Sequence, residues 1–259
     1  MKAAEMFNLQ GRTALVTGAS SGLGVQFAKA LADNGAAVAL VARRVDRLKA
    51  LQGEIEKAGG KAISIAADVT DRAAMSGAFD AAEKAFGTVT ILVNNAGIAM
   101  TPARAVDVPA EEWRKVLGID LDAVFANAQE AARRMLAANR KGSIVNIASV
   151  LGLGVAKGVV AYATAKAAVI QMTKALALEL AFKGVRVNAI APGWFVTEIN
   201  DEYLTGEAGA AIKREIPMGR FGNAGDLDGA LLLLVSDAGT YITGATLVVD
   251  GGQVIQIKG

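Results

Sequence analysis

Tyr162 and Lys166 stand four residues apart in a run, Val159 to Phe182, that contains neither Pro nor Gly. On a helix, residues at i and i+4 share a face, so a phenol and an ammonium converge there. A tyrosine in water titrates near ~10, too high for a proton donor at neutral pH. A fixed cation beside it favours the phenolate, and a tyrosine tuned in this way can trade a proton with a reacting oxygen. The plainer reading is a core aromatic beside a snorkelling lysine. The chain has 3 Tyr, and such a pair arises by chance often enough that its surroundings must decide.

Composition narrows the alternatives. The 259 residues hold no Cys and no His. Disulfides, thiol nucleophiles and Cys-ligated zinc are excluded, and with them every Ser-His-Asp arrangement. Proton chemistry must come from Tyr, Lys, Asp or Glu, which raises the weight of Tyr162 and Lys166. No metal site is expected. Apolar residues make up 53% and charged ones 20%, more apolar than an ordinary domain, so much of the chain must be buried in a two-sided sheet or at subunit contacts. A net charge of +2 with no basic run argues against nucleic acid. No apolar run reaches membrane-spanning length unbroken, and the Met1–Phe7 start carries an acidic residue and no apolar core. The reading is a cytoplasmic protein.

Short apolar runs alternate with amphipathic stretches along the whole chain. Strands are expected at 13–16, 37–41, 62–66, 90–94, 142–149, 185–190 and 246–249. Helices are expected at 18–34 after a Gly-rich turn, 45–58, 71–86 with Thr70 as cap, 109–139, 158–182 and 226–236. Residues 198–215 are polar and Gly-containing, and read as a lid. Strands alternating with helices imply a parallel sheet covered on both faces, the α/β class. Continuously apolar strands agree with burial on both sides. No linker or repeat divides the chain, so residues 1–259 read as one domain.

Directly after the first strand comes Thr17-Gly18-Ala19-Ser20-Ser21-Gly22-Leu23-Gly24. Glycines there allow a tight turn against a pyrophosphate, and the helix N-terminus supplies N–H groups and a favourable dipole. A plain Gly-rich turn is the alternative, but this one lies in the first strand-turn-helix unit, where a dinucleotide site belongs. At the end of the second strand a carboxylate would bind a ribose 2′-OH; here Ala42 is followed by Arg43-Arg44. Two guanidinium groups suit a 2′-phosphate, which points to NADP(H), with NAD(H) as the alternative. A solvated arginine pair starting a surface helix is the competing reading.

In order, Gly18/Gly22/Gly24, Asn94-Asn95-Ala96-Gly97, Ser149, Tyr162-x-x-x-Lys166 and Pro192-Gly193 resemble the classical short-chain dehydrogenase/reductases, from Gly11 to Gly252. The likeness is to 3-oxoacyl-thioester and gluconate or ketogluconate reductases. It implies a Rossmann-like, doubly wound, seven-stranded parallel sheet and reversible hydride transfer between NADP(H) and a carbonyl/alcohol pair. By the resemblance, Tyr162 is the acid/base, Lys166 binds the nicotinamide ribose and tunes Tyr162, and Ser149 bonds the substrate carbonyl. Ser20, Ser21 and Leu23 belong to the phosphate turn, Asp68-Val69 holds adenine, Asn95, Ala96 and Gly97 line the cofactor channel, and Pro192-Gly193 and Val196-Thr197 contact the nicotinamide.

One position departs from the family pattern. Asp120 stands where an Asn is usual, in Asp120-Leu-Asp-Ala-Val-Phe125. Its main-chain carbonyl is kept, so a water-mediated proton relay survives, and its carboxylate is expected to pair with Lys166. Leu151, Gly152, Leu153, Trp194 and 198–215 are expected at the pocket mouth, with Glu198, Asp201 and Glu202 at its edge; a general ketone or sugar acid is the expected substrate. A silent dinucleotide sensor, or a dehydratase or epimerase on this scaffold, remain open. Residues 109–139 and 158–182, apolar on more than one side, are expected to form a homotetramer or homodimer, with Gln253 to Gly259 at a second contact.

Overall fold

The sheet is built from seven runs of apolar and β-branched residues. They are β1 (Thr13–Thr17), β2 (Ala37–Ala42), β3 (Lys61–Ala66), β4 (Val89–Asn94), β5 (Gly142–Ile147), β6 (Val185–Pro192) and β7 (Thr246–Val249). In this computed structural model, which describes residues 2–198 and 201–255, every strand pairs in parallel in the order β3-β2-β1-β4-β5-β6-β7. This is the expected doubly wound, Rossmann-like fold. The order reverses between β1 and β4, and ligands of such sheets bind at the carboxyl ends of the strands flanking that reversal.

Each helix buries one stripe against a sheet face. After the short α1 (Ala3–Met6) come α2 (Leu23–Asp33), α3 (Val45–Lys57), α4 (Arg72–Phe86), α5 (Ala110–Leu117), α6 (Ala123–Ala137), α7 (Val160–Leu180), α8 (Asp201–Thr205), α9 (Glu207–Arg214) and α10 (Asp228–Val235). On one face Phe27 and Leu31 of α2, Leu48 of α3, and Leu231 and Leu234 of α10 pack on Val16, Leu40 and Val93. On the other, Phe79 of α4, Met135 of α6 and Ala177 of α7 pack on Leu15, Leu92 and Val187. All of β1, β4 and β5 is buried, which explains their unbroken apolar sequence. Truncating a fully buried aromatic such as Phe27 would cost roughly 3–5 kcal/mol.

Three boundaries differ from the sequence reading. The cap of α4 is Asp71, whose carboxylate accepts from the N–H groups of Ala73 and Ala74; the Thr70 hydroxyl donates to Asp68. The fifth strand stops at Ile147, and Ser149 caps the short 3-10 turn Val150–Gly152. The 109–139 run is not one regular helix: Pro109 caps α5, and a wide π-type turn, Gly118–Asp122, separates α5 from α6. The 198–215 segment carries α8 and α9. Ile257 lies outside the described residues, as do 199–200 and the side chain of Glu202.

Candidate active site

Lys166 enters the site from the second turn of α7. Its ammonium is buried and donates to the Ile147 carbonyl at 3.1 Å, at the carboxyl end of β5. It also lies 3.3 Å from Asp120 Oδ1. One helical turn earlier, the Tyr162 ring centroid is 5.4 Å from Lys166 Nζ. The ring is half-buried and packs on the cluster of Met100, Val116 and Ala161. The spacing read from the sequence is therefore realised in space, and the lysine is held by fixed acceptors rather than snorkelling to water.

Asp120 is fully buried. The π-type turn turns its carboxylate inward, where both oxygens accept from the Ile98 N–H, at 3.2 and 3.4 Å. A Cβ on Gly97 would stand 2.4 Å from Asp120 Oδ1, so only glycine lets the 95–97 loop close over the pair. Burial pushes the Asp120 carboxyl above its ordinary range; the Lys166 cation and the Ile98 N–H oppose that rise.

Ser149 is buried at the end of β5, and its Oγ accepts from the Leu151 N–H at 3.1 Å. A Cβ on Gly152 would meet the Lys166 carbonyl carbon at 2.7 Å, so the Ser149 turn lies directly on the Lys166 turn of α7. Leu151 is half-buried and Leu153 exposed. Trp194 walls a 110 Å³ cavity with Phe195, Met218, Arg220 and Asp250, one that Ser149, Tyr162 and Lys166 do not line.

The glycine turn fits a dinucleotide. Gly18 has φ +68°, and a Cβ there would meet Asn95 Nδ2 at 2.8 Å; one on Gly24 would meet the Gly18 carbonyl at 2.3 Å. Gly22 caps α2 with no side-chain hydrogen bond, which leaves that helix end able to receive an anion. Asn95 Nδ2 donates to the Thr17 carbonyl at 3.0 Å, and Thr17 Oγ1 accepts from the Asn95 and Ala96 N–H groups at 3.0 and 3.1 Å. This lock between the β1 and β4 turns was missed in the sequence because Thr17 reads only as the first residue of the glycine turn, and its partners lie nearly eighty residues away.

The two arginines diverge. Arg44 donates to Ser20 Oγ at 3.0 Å and Ser21 Oγ at 2.7 Å, on the glycine turn. Arg43 is exposed and 3.9 Å from Asp68 Oδ2. Hydrogen bonds from the Thr70 N–H and hydroxyl hold Asp68 below its ordinary range, with a smaller contribution from Arg43. Thr197 lies 3.5 Å from where a Cβ on Gly22 would stand. Glu198 accepts from Arg47 of α3 at 2.6 Å. The segment leaving β6 thus crosses the glycine turn and is tied beyond it. Arg47 gave no sequence signal.

A family model described as Enoyl-(Acyl carrier protein) reductase matches residues 18–253. The chain belongs to the classical short-chain dehydrogenase/reductase family. It is 39% identical over 250 residues to D-threitol dehydrogenase of Mycolicibacterium smegmatis, covering 96% of this chain and 95% of that one. It is 37% identical over 247 residues to the 3-oxoacyl-acyl-carrier-protein reductase of Thermotoga maritima, with 95% and 99% covered. The crystal structure of a gluconate 5-dehydrogenase from Burkholderia cenocepacia, in complex with NADP and tartrate, superposes with a TM-score of 0.93 at 34% identity, covering 99% of this chain and all of that one. As a short-chain dehydrogenase/reductase, the chain is an oxidoreductase of the alcohol/carbonyl class. Among its described residues no helix is long and apolar enough to cross a membrane.

Proposed function

We propose that the chain interconverts a small ketone and its secondary alcohol with NADP(H), using Tyr162 as acid and base. The observation that carries this is the buried Lys166 ammonium, fixed between Ile147 and Asp120 beneath the Tyr162 ring. A bound nicotinamide would supply or accept the hydride. Gly18, Ser20, Ser21, Gly22, Leu23 and Gly24 would hold its phosphates. Asn95, Ala96 and Gly97 would flank the channel, Asp68 and Val69 the adenine, and Pro192, Gly193, Val196 and Thr197 the nicotinamide. Lys166 has three donors; two are engaged here, and the third is available to a ribose hydroxyl. Ser149 Oγ accepts from Leu151, so its own O–H is left to donate to a substrate carbonyl oxygen as charge develops there. Tyr162 gives that oxygen its proton in reduction and removes it in oxidation.

The Arg44 contacts with Ser20 and Ser21, and Arg43 beside them, support a phosphate at the adenosine ribose and hence NADP(H) over NAD(H). The relatives named above act on hydroxylated or oxoacyl compounds, which supports a small hydroxylated substrate. The deciding experiment is a panel of ketones and polyols assayed with NADPH and NADH, in the native chain and in Tyr162→Phe. Turnover should fall by about 10²–10⁴-fold in the variant while NADP⁺ affinity holds. Activity retained in Tyr162→Phe overturns the assignment.

A further inference from the structure

Asp120 departs from the family pattern in charge rather than in shape. Its carboxylate meets donors: Oδ1 lies 3.3 Å from the Lys166 ammonium, and both oxygens accept from the Ile98 N–H. An ionised carboxyl only accepts, whereas a protonated one must also donate, so these contacts suit the ionised form. Burial opposes the charge; Lys166 and the Ile98 N–H support it. Asp120 is wholly buried and Lys166 is 4% exposed, so water and salt screen the pair little.

The pair lies beside the crevice in which this fold takes a ligand. Lys166 is tied to Ile147 at the carboxyl end of β5, and Asp120 to Ile98 in the loop leaving β4. That loop starts against the glycine turn. A Cβ on Gly18 would stand 2.9 Å from the Ala96 Cα. One on Gly97, the next residue, would stand 3.5 Å from Lys166 Nζ and closer still to Asp120 Oδ1. Two adjacent residues thus link the glycine turn to the buried charges. Arg43 with Asp68, and Arg47 with Glu198, form pairs on the other side of that turn, toward β2 and α3.

The two forms of a nicotinamide cofactor differ in charge at the ring. The oxidised ring carries one positive charge more than the reduced ring. A lone buried ammonium nearby would favour the reduced form. A carboxylate on that ammonium returns the local charge to zero and removes the bias. At an effective dielectric constant of ~20, a unit charge ~10 Å away changes such a balance by roughly tenfold.

We propose that Asp120 determines which redox form of the cofactor the chain prefers, tilting the site toward NADP⁺ and so toward alcohol oxidation over ketone reduction. This rests on the function proposed above and adds a direction to it. The asparagine usual at this position brings no such charge. The overall equilibrium of the reaction is untouched. What Asp120 sets is the form that occupies the site when both are present.

The test is equilibrium binding near pH 8, far above the ordinary carboxylate range. NADPH is titrated by its fluorescence and NADP⁺ by calorimetry. Tyr162→Phe is compared with Tyr162→Phe/Asp120→Asn, so that the phenol takes no part. The ratio of Kd for NADP⁺ to Kd for NADPH should rise roughly tenfold when the carboxylate is lost. The rise should persist at ~0.5 M salt, because a buried charge is little screened. If the double variant does not fold, Asp120→Ser takes the place of Asp120→Asn. An aspartate that serves the fold alone would weaken both forms alike when replaced. An unchanged or falling ratio therefore overturns the proposal, and refutes this inference alone. Turnover in Tyr162→Phe refutes the catalytic reading instead.

Discussion

At Asp120 the family pattern and the physics pull apart. The carboxylate is fully buried, and burial raises its pKa despite Lys166 and the Ile98 N–H. The folded chain thus holds a proton on residue 120 more tightly than the unfolded chain does. The linkage follows in sign: stability from this group is fully present below the unfolded value, near ~3.9, and is lost as pH rises through the raised folded value. Charge on Asp120 is thus opposed by burial and supported by Lys166 and the Ile98 N–H. Asp120→Asn keeps the shape and an acceptor for Ile98 without the charge. Its urea midpoint relative to the native one should rise as pH increases from about 4 toward 7, while turnover falls. A midpoint lower at pH 7 than at pH 4, relative to native, would mean that the ion pair stabilises the fold and that breaking it exposes an unpaired lysine.

Among the elements, the segment after β6 is the one tied across the glycine turn. Thr197 rests over Gly22, and Glu198 reaches Arg47 of α3, so this segment spans the glycine turn. The two side chains are 64% and 44% exposed, which limits the bridge to ~0.5–1 kcal/mol. Glu198→Gln should leave Tm nearly unchanged and speed NADP⁺ release about two- to fivefold in stopped flow. Raising salt to ~0.5 M should erase the difference between the variant and the native chain. A large drop in Tm would show that the bridge supports the fold instead.

The same elements show what the sequence could and could not reveal. Strands buried on both faces announce themselves as apolar runs, so all seven were legible. The Tyr162/Lys166 pair and the glycine turn were legible because helical pitch or one tight turn makes their geometry local. Asp71 displaced Thr70 as cap because the Thr70 hydroxyl is drawn to Asp68, a choice between adjacent residues that composition cannot make. The π-type turn at Gly118–Asp122 contains no proline and disturbs no periodicity long enough to notice. Arg47–Glu198 and Thr17–Asn95 join residues far apart in the chain. Only the folded sheet brings them together.

For the molecule as a whole, the surplus of apolar sequence is only partly absorbed by the two sheet faces. Leu178 is 84% exposed near the end of α7, and Phe182, one helical turn on, is 94% exposed. Phe125 and Leu136 on α6 are 37% and 40% exposed and lie eleven residues apart, about three turns, hence on one side of that helix. Isolated exposed apolar residues are ordinary, but stripes on two adjoining helices mark a contact surface. Tyr241, Val248 and Ile255 are exposed around β7 and the tail that follows it. We propose that α6 and α7 pair with a second copy of the chain and that the β7 edge makes a second contact, giving a tetramer. Leu178→Asp combined with Phe182→Asp should lower the particle mass in light scattering to that of a smaller oligomer. The secondary structure should persist, because neither side chain contributes to the buried clusters on the sheet. Turnover should weaken as well, since α7 holds Tyr162 and Lys166 in place. A native chain that scatters as a monomer, or a double variant of undiminished mass, would leave these stripes without a partner.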